Sequence, residues 1–525
     1  MIVKDSLNQL VEKDKNAKYG PSFENFKDFN QLRLRKNYTK HYEENLDPKR
    51  DNINFYTLTA VYSYKPGSGT VIDLTGVVED TNAPVNVQVS GFLSWFAIKR
   101  PDGLTDDVIT GFIEQLSNGV IKYTEQLAQR NEDYQNVIND IPALGPIITH
   151  WESVTEEELK RTSDRDNGTN FIKVYVRYPK CVKLCRDLIE NPDGKASYKF
   201  DNRIIPAIPD LKWCPHEYKK LIKKLLLYEA DIDFVIRFFA DTQFKPCSWL
   251  GLKAGDYTVL PPSDENRHTT CDLELFTDYR KITQLNDAAH NGKMPNLVRT
   301  TFDAEMSTGA RRFPSPETDP ILQISVVLGD SNETSEPKRY IFCLDKVSHV
   351  KDTDMVFWYK AERSLLTSYY EFMKTVDPDL WVHHNGNGFD LKYFIARAKA
   401  LKLKVDFSKL GRFPDRSIYI SGSTNKGFTK WSASVPGVLN WDIYRAAQLD
   451  PKLTSFGLRD MCLAYLEGVT KGDVNYSLIS TYQKTEEGRR ILAEYCMRDS
   501  ICTDKIFKIK NWEANMLGTV QVNVF

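Results

Sequence analysis

The chain has 525 residues, 41% of them hydrophobic and 27% charged, with a formal net charge of −1. That composition fits a soluble globular protein of two to four domains at ~150 residues each. A net charge near zero excludes a global field for polyanions, so any nucleic-acid contact is expected from a local basic groove, and the lack of a run of about 18 apolar residues excludes a transmembrane helix, leaving no membrane partner.

Residues 1–18 are charged and lack the apolar stretch of a signal peptide, so secretion is not expected. Nine cysteines, an odd and scattered set, point to reduced thiols in an intracellular compartment. Cys181 and Cys185 have helical spacing but no second Cys/His pair nearby, and read as structural rather than as zinc ligands. Residues 1–50 are polar and predict a partly ordered arm, with Phe23, Phe26 and Phe29 as its docking groups. From 54 to 98 the pattern is β: strand formers at 55–62, a turn at 65–69, a strand at 71–74, period-two alternation at 85–90 and an aromatic-dense strand at 91–98. This predicts a small sheet or barrel whose aromatics serve core packing, the commoner case, or base stacking of the oligonucleotide-binding kind. Residues 104–131 predict a helix with Val108, Phe112, Ile113, Leu116 and Val120 on one face. A strand at 172–176, a helix at 182–190 and a turn at 191–194 complete an α+β module. Residues 225–239 read as one helix with a wide apolar face, 247–250 begin a strand, and 261–293 are turn-rich, which places a domain boundary near 290.

A strand ending in Asp303 and Glu305 opens the next region. After a loop at 307–319 come strands at 320–328 and 340–344, a helix at 361–376, a strand at 380–384 and a helix at 391–402. Strand-strand-strand-helix-strand-helix is the opening order of a ribonuclease-H-like α/β fold. Asp390 falls where strand passes into helix, at the carboxyl end of the sheet where such folds place ligands. Residues 417–435 predict a hairpin with a flexible, weakly basic tip at 422–427, and 453–466 and 487–508 predict helices.

Alternation sets Asp303 and Glu305 on one face of their strand. Two like charges so close are unfavourable alone and favourable around a divalent cation. A lone Asp-x-Glu is usually an ordinary strand end; Asp390 and Asp499, further along the chain, change that reading. Tyr495 and Asp499 stand four apart and share a helix face. Converging, the carboxylates would hold two divalent ions, Mg²⁺ or Mn²⁺ by their all-oxygen chemistry. Two ions roughly 3.5–4 Å apart activate a water and stabilise the leaving 3′ oxygen of a phosphodiester. Tyr495 would orient that water, since a phenol with an ordinary pKa of ~10 is a poor base.

Phe302-Asp303-Ala304-Glu305, Asn385-Gly386-Asn387-Gly388-Phe389-Asp390 and Tyr495-Cys496-Met497-Arg498-Asp499 resemble, in order and spacing, the three exonuclease motifs of family B DNA polymerases. These belong to the tyrosine branch of the DEDD 3′–5′ exonucleases. The likeness is to the delta-type eukaryotic and large-DNA-virus enzymes and extends to 229–249, 313–324 and 435–445. His384 departs from it, standing where a tyrosine is usual. The fold the resemblance implies is multidomain, α/β and α+β. After the arm at 1–50 comes an N-terminal domain at 51–290, β-rich (oligonucleotide-binding-like) with an α+β part. A ribonuclease-H-like exonuclease domain at 291–508 and a segment returning to the N-terminal domain at 509–525 follow. The resemblance assigns Asp303, Glu305, Asp390 and Asp499 to metal binding, Tyr495 to water positioning, and Asn385, Phe389 and Met306 to substrate. Met306 has two readings, a wedge against a terminal base and a core residue. The hairpin would help separate primer from template. Asp442 reads as structural.

The implied substrate is single-stranded or primer–template DNA, and the implied location is a site of DNA replication, nuclear or in a viral replication compartment. The polymerase signature, an aspartate followed by a Ser-Leu-Tyr-Pro-Ser-like motif, is absent from these 525 residues. The expectation is therefore a proofreading exonuclease whose polymerase half lies on another chain, with the apolar groups of 512–525 seeking a partner. The alternatives are a fragment, a non-catalytic template-binding scaffold, and a free-standing DNA or RNA exonuclease.

Overall fold

Valines at 85, 87 and 89 point into one core with Phe55, Ile72 and Leu74, while Asn86 and Gln88 between them bond the buried Glu274 on the opposite face. The alternation therefore separates two buried faces of a sheet rather than a core from solvent. This is a computed structural model, describing residues 19–65, 67–156, 169–191, 225–307, 313–333, 335–425, 428–466, 474 and 478–522. Residues 192–194 of the expected turn, 308–312 of the expected loop and Lys426 and Gly427 of the expected hairpin tip lie outside the described residues.

The first sheet has seven strands, in the order Tyr257–Val259, Leu273–Asp278, Pro84–Ser90, Gly69–Val78, Ile53–Lys65, Trp249–Leu252 and Ile282–Gln284. The expected strand at 91–98 does not belong to it. Gly91 takes a left-handed φ of +84°, and a Cβ there would stand 2.5 Å from Asp278 Oδ2; the chain turns out and Ser94–Lys99 joins a second sheet with Ile148–Glu156, Thr169–Val176 and Leu227–Tyr228. The helices Asp106–Ala128 and Pro179–Glu190 cover that sheet, with Phe112, Leu116, Cys181 and Cys185 in its core. The aromatics Phe55, Tyr56, Phe92, Trp95 and Phe96 are all buried and pack the cores, while Tyr62 of the same run is 37% exposed. Among the described residues eight cysteines are buried and unbridged.

The single helix expected at 225–239 is a strand, Leu227–Tyr228, and a later helix, Phe234–Thr242. Asp233 makes the division: its carboxylate accepts from the N–H groups of Val235 and Ile236 and starts the helix there.

The third sheet also has seven strands, in the order Ser22–Glu24, Met355–Tyr359, Lys338–Leu344, Ile321–Asp330, Val298–Met306, Leu380–His383 and Leu439–Asp442. The helices Glu362–Val376 and Asp390–Ala400 pack on one face and the long helix Glu486–Ile509 on the other. Met355–Tyr359 is a strand the sequence reading passed over. The arm at 19–50 is ordered more fully than expected, because Ser22–Glu24 pairs with that strand and Phe23, Phe26 and Phe29 pack on Phe357. In the helix Trp512–Val522, Trp512, Met516 and Leu517 are buried with Ile506, Phe507, Tyr56 and Trp249, so these three are covered within the chain; 523–525 of the segment expected to seek a partner lie outside the described residues.

Candidate active site

The strand Val298–Met306 lies in the middle of the third sheet, antiparallel to Ile321–Asp330 and parallel to Leu380–His383. Phe302, Ala304 and Met306 face the core. Asp303 and Glu305 are half-buried on the other face, under the long helix. Met306 is 3% exposed and lies in the core cluster, so of its two readings packing fits and a wedge against a base does not. The long helix is held in place by a ladder of polar contacts. Arg299 Nε and Thr301 Oγ1 donate to Asp504 Oδ1 at 3.0 and 3.1 Å. One turn up, Ser325 and Ser500 hydroxyls meet at 2.7 Å, and Ser325 Oγ donates to the Cys496 carbonyl at 2.9 Å.

That register brings Asp499, 6% exposed, onto the pair from the strand. One carboxylate oxygen each from Asp303, Glu305 and Asp499 lie within 4.8 Å of one another. Tyr495 stands one turn before Asp499 and is half-buried. Cys496, which the sequence reading did not single out, points into the same place: its thiol lies 3.7 Å from Asp303 Oδ2 and 3.5 Å from the Asp303 carbonyl. Burial, and then the charges of Asp303, Glu305 and Asp499, push that thiol well above its ordinary value.

Asp390 arrives from the third element. Leu380–His383 pairs with the motif strand only as far as Val382 opposite Thr301. Beyond that point the Ala304 N–H is available on this edge, and it bonds the Asp390 carboxylate. Asp390 is thus tied to the residue between Asp303 and Glu305, beside the other three but outside their 4.8 Å group. Burial first, and then the charge of Asp442, raise Asp390 from 3.8 to about 7; its own N–H and that of Ala304 act in the opposite direction.

The turn at 385–389 carries Asp390 and is built from small polar residues for local reasons. Asn385 takes a left-handed φ of 60°, a conformation asparagine tolerates. Asp442 accepts from the N–H groups of Asn385 and Asn387 at 2.7 and 3.3 Å, which gives the structural reading of Asp442 its substance. The Gly386 N–H donates to His383 Nδ1, so His383 Nε2 carries the proton and donates to Asn440 Oδ1 at 2.9 Å; Asn440 Nδ2 in turn donates to Asn387 Oδ1. A Cβ on Gly386 would stand 2.6 Å from the His383 ring. His384 donates from Nε2 to the Phe456 carbonyl at 2.9 Å. Phe389 is half-buried against the core, its ring 5.9 Å from that of Tyr393. The hairpin strands are Tyr419–Asn425 and Phe428–Ser434.

The donor set is all carboxylate on three elements, a chemistry that fits a divalent cation bound through oxygen.

Residues 226–461 match the family described as DNA polymerase family B, exonuclease domain; Asp303, Glu305 and Asp390 fall inside the match, Tyr495 and Asp499 beyond it. The chain is 25% identical over 467 residues to the DNA polymerase delta catalytic subunit of Schizosaccharomyces pombe, covering 88% of this chain and 38% of that protein. It is 29% identical over 443 residues to the delta catalytic subunit of Dictyostelium discoideum, covering 83% and 36%. The chain spans 38% and 36% of the length of these curated relatives. The solved structure of the family B DNA polymerase from the hyperthermophilic archaeon Pyrobaculum calidifontis superposes with a TM-score of 0.59 over 90% of this chain and 47% of that one, at 18% identity, a likeness of fold.

Proposed function

We propose, for a chain whose residues 226–461 match the exonuclease domain of family B DNA polymerases, that it hydrolyses DNA from the 3′ end and proofreads for a polymerase half. The observation that carries this reading is the meeting of Asp303, Glu305 and Asp499 oxygens within 4.8 Å, with Asp390 fastened to Ala304 between the first two. The third sheet and its helices are read as a ribonuclease-H-like DEDD core over 291–508. The two sheets of 51–290 are read as the N-terminal domain, oligonucleotide-binding-like in its β-rich part, and 509–525 as the segment returning to it.

Asp303, Glu305, Asp390 and Asp499 would hold two divalent ions, Mg²⁺ or Mn²⁺. Bound there, the ions would supply positive charge that makes water a nucleophile at neutral pH and stabilises the departing 3′ oxygen. The Tyr495 hydroxyl orients that water in line with the scissile bond. Water adds its oxygen to phosphorus, the P–O3′ bond breaks, and the shortened strand keeps a 3′ hydroxyl while a 5′-mononucleotide leaves. Asn385 and Phe389, on the turn beside Asp390, contact the terminal nucleotide. The substrate is a frayed primer end or single-stranded DNA, and the place of action is where DNA is replicated.

The test is Mg²⁺-dependent digestion of a 5′-labelled single strand by the purified chain, with an Asp303→Ala/Glu305→Ala control. A ladder from the 3′ end that the control loses supports the reading. Equal digestion by both proteins removes the site assignment. No digestion by the unaltered chain, alone or with a polymerase half added, favours a template-binding scaffold.

A further inference from the structure

We propose that Trp431 is a positioning residue for the Asp390 carboxylate, bracing from the hairpin the turn that carries it. The inference rests on the exonuclease reading above. On its inner side the turn is fixed by Asp442, Asn440 and His383. On its outer side it meets the hairpin at Trp431. A Cβ on Gly388, two residues before Asp390, would stand 2.9 Å from Trp431 Cδ1, closer than real Cβ contacts come. The same indole fills a second socket: Gly422 is the cross-strand partner of Trp431, and a Cβ there would stand 2.7 Å from Cζ3. Lys392, two residues after Asp390, completes the bracket with its Nζ 3.4 Å from the indole centroid, a cation–π contact.

One rigid side chain thus occupies the space left by two glycines, on the hairpin and on the turn, and carries a lysine from the helix that Asp390 begins. Asp390 has little freedom of its own, since it is 4% exposed and tied to the Ala304 N–H. Its placement against Asp303 and Glu305 therefore follows that bond and the turn together, and the turn is held by Asp442, Asn440 and His383 within and by Trp431 without. A hairpin displaced by DNA would act on the metal site through this indole, with no contact of its own to the carboxylates.

The experiment is Mn²⁺ binding by the full chain, followed by the electron paramagnetic resonance of unbound Mn²⁺, which reads the site without turnover. Trp431→Ala is expected to weaken binding by about 10-fold or more, in the range seen when a support of a metal ligand is lost. Trp431→Phe, which keeps a ring in the socket, is expected to stay within about twofold. Gly388→Ala is expected to weaken binding because its methyl meets the indole. The double variant Gly388→Ala/Trp431→Ala is expected to bind no worse than Trp431→Ala, the non-additivity of residues in contact. Unaltered Mn²⁺ binding by Trp431→Ala overturns the inference and leaves the exonuclease reading standing. Additive losses in the double variant overturn it too, and that cycle holds even if Trp431→Ala lowers the melting temperature, since both arms carry the same lesion. A parent chain that binds no Mn²⁺ removes the exonuclease reading and this inference together.

Discussion

The strand Leu380–His383 has an acidic cluster at each end, and the two are built on opposite principles. At its start, Asp377 and Asp379 are held by two arginines from distant segments. Arg412 reaches Asp377 and Asp379 at 2.9 and 2.7 Å, and Arg35 of the arm reaches them at 3.3 and 2.7 Å. Asp379 also accepts the Val298 N–H at 2.8 Å. Beyond its end stands Asp390, and there acid meets acid: Asp303, Glu305 and Asp499 converge within 4.8 Å. Two carboxylates balanced by two guanidiniums are a closed unit that ties arm, strand and loop together. Carboxylates gathered against one another are an open one, whose balance a divalent cation completes. The comparison separates acid that is neutralised within the fold from acid that is proposed to serve chemistry, and each prediction below presses on that separation.

The largest effect is expected from removing the open cluster. Asp303→Ala/Glu305→Ala should lower digestion on the order of 10³-fold, the scale of losing the charges that stabilise a transition state. Its melting temperature should hold or rise, because like charges have been removed. Single-turnover digestion and a thermal melt measure both. A fall in stability without loss of activity would make this pair structural, like its counterpart.

Next comes the closed cluster. Arg412→Ala leaves the buried Asp379 and the half-buried Asp377 with Arg35 as the remaining guanidinium, and breaking a buried pair in this way costs about 3–5 kcal/mol. Denaturant unfolding measures it. The digestion rate per folded molecule should stay within about twofold, since Arg412 lies at the other end of the strand; a loss of activity out of proportion to folding would erase the distinction between the two clusters.

A smaller effect is expected at Tyr495. Tyr495→Phe keeps the ring and removes the hydroxyl proposed to orient water, and the rate at saturating metal should fall about 10–100-fold, the range of a positioned proton-handling group. Mn²⁺ affinity should not change. An unchanged rate would deny the hydroxyl a part in the chemical step, and a changed affinity would move Tyr495 among the residues that hold the metal.

How much of this was legible beforehand follows from what each feature depends on. Asp303 beside Glu305 is a matter of period two, and Tyr495 beside Asp499 of a helical turn, so local pattern sufficed. Asp390 was marked by its place between a strand and a helix. What closes the site was not legible. The Ala304 N–H on Asp390, Ser325 against Ser500 and Arg299 against Asp504 each join residues far apart in sequence, 205 positions in the last case. No pattern along the chain encodes such a meeting. Arg35 belongs to the same class: in a polar arm it reads as a solvated charge, and only the fold brings it to Asp379. The misread helix at 225–239 is different, because its signal was present. Asp233 followed by Phe-Val-Ile-Arg is an N-cap before an apolar turn, and the run of leucines before it, with Leu226 59% exposed, concealed it.

The finest distinction is in pH dependence, where the two ends of the strand should slope in opposite directions. Burial pushes Asp377 up, but Arg412 and then Arg35 outweigh it and hold the carboxyl below its ordinary 3.8. A depressed carboxyl gives stability that is present above its unfolded pKa and lost as pH falls through the folded value, so the closed cluster weakens in acid below about pH 4. Asp390 is raised from 3.8 to about 7. A raised carboxyl gives stability that is full below its unfolded value and lost as pH rises through the folded one, so in chelator this group favours folding least at neutral pH. A divalent cation binds the ionised form and reverses the slope. Thermal melts of the parent and of Asp390→Asn, from pH 2 to 8 in chelator and then in Mg²⁺, resolve the two contributions, the closed cluster below about pH 4 and Asp390 above it. The advantage of Asp390→Asn should grow with pH in chelator and shrink or invert with Mg²⁺. A constant difference at every pH would mean that Asp390 ionises as an ordinary surface acid does, and the open end of the strand would then lack the electrostatic tension that a bound cation relieves.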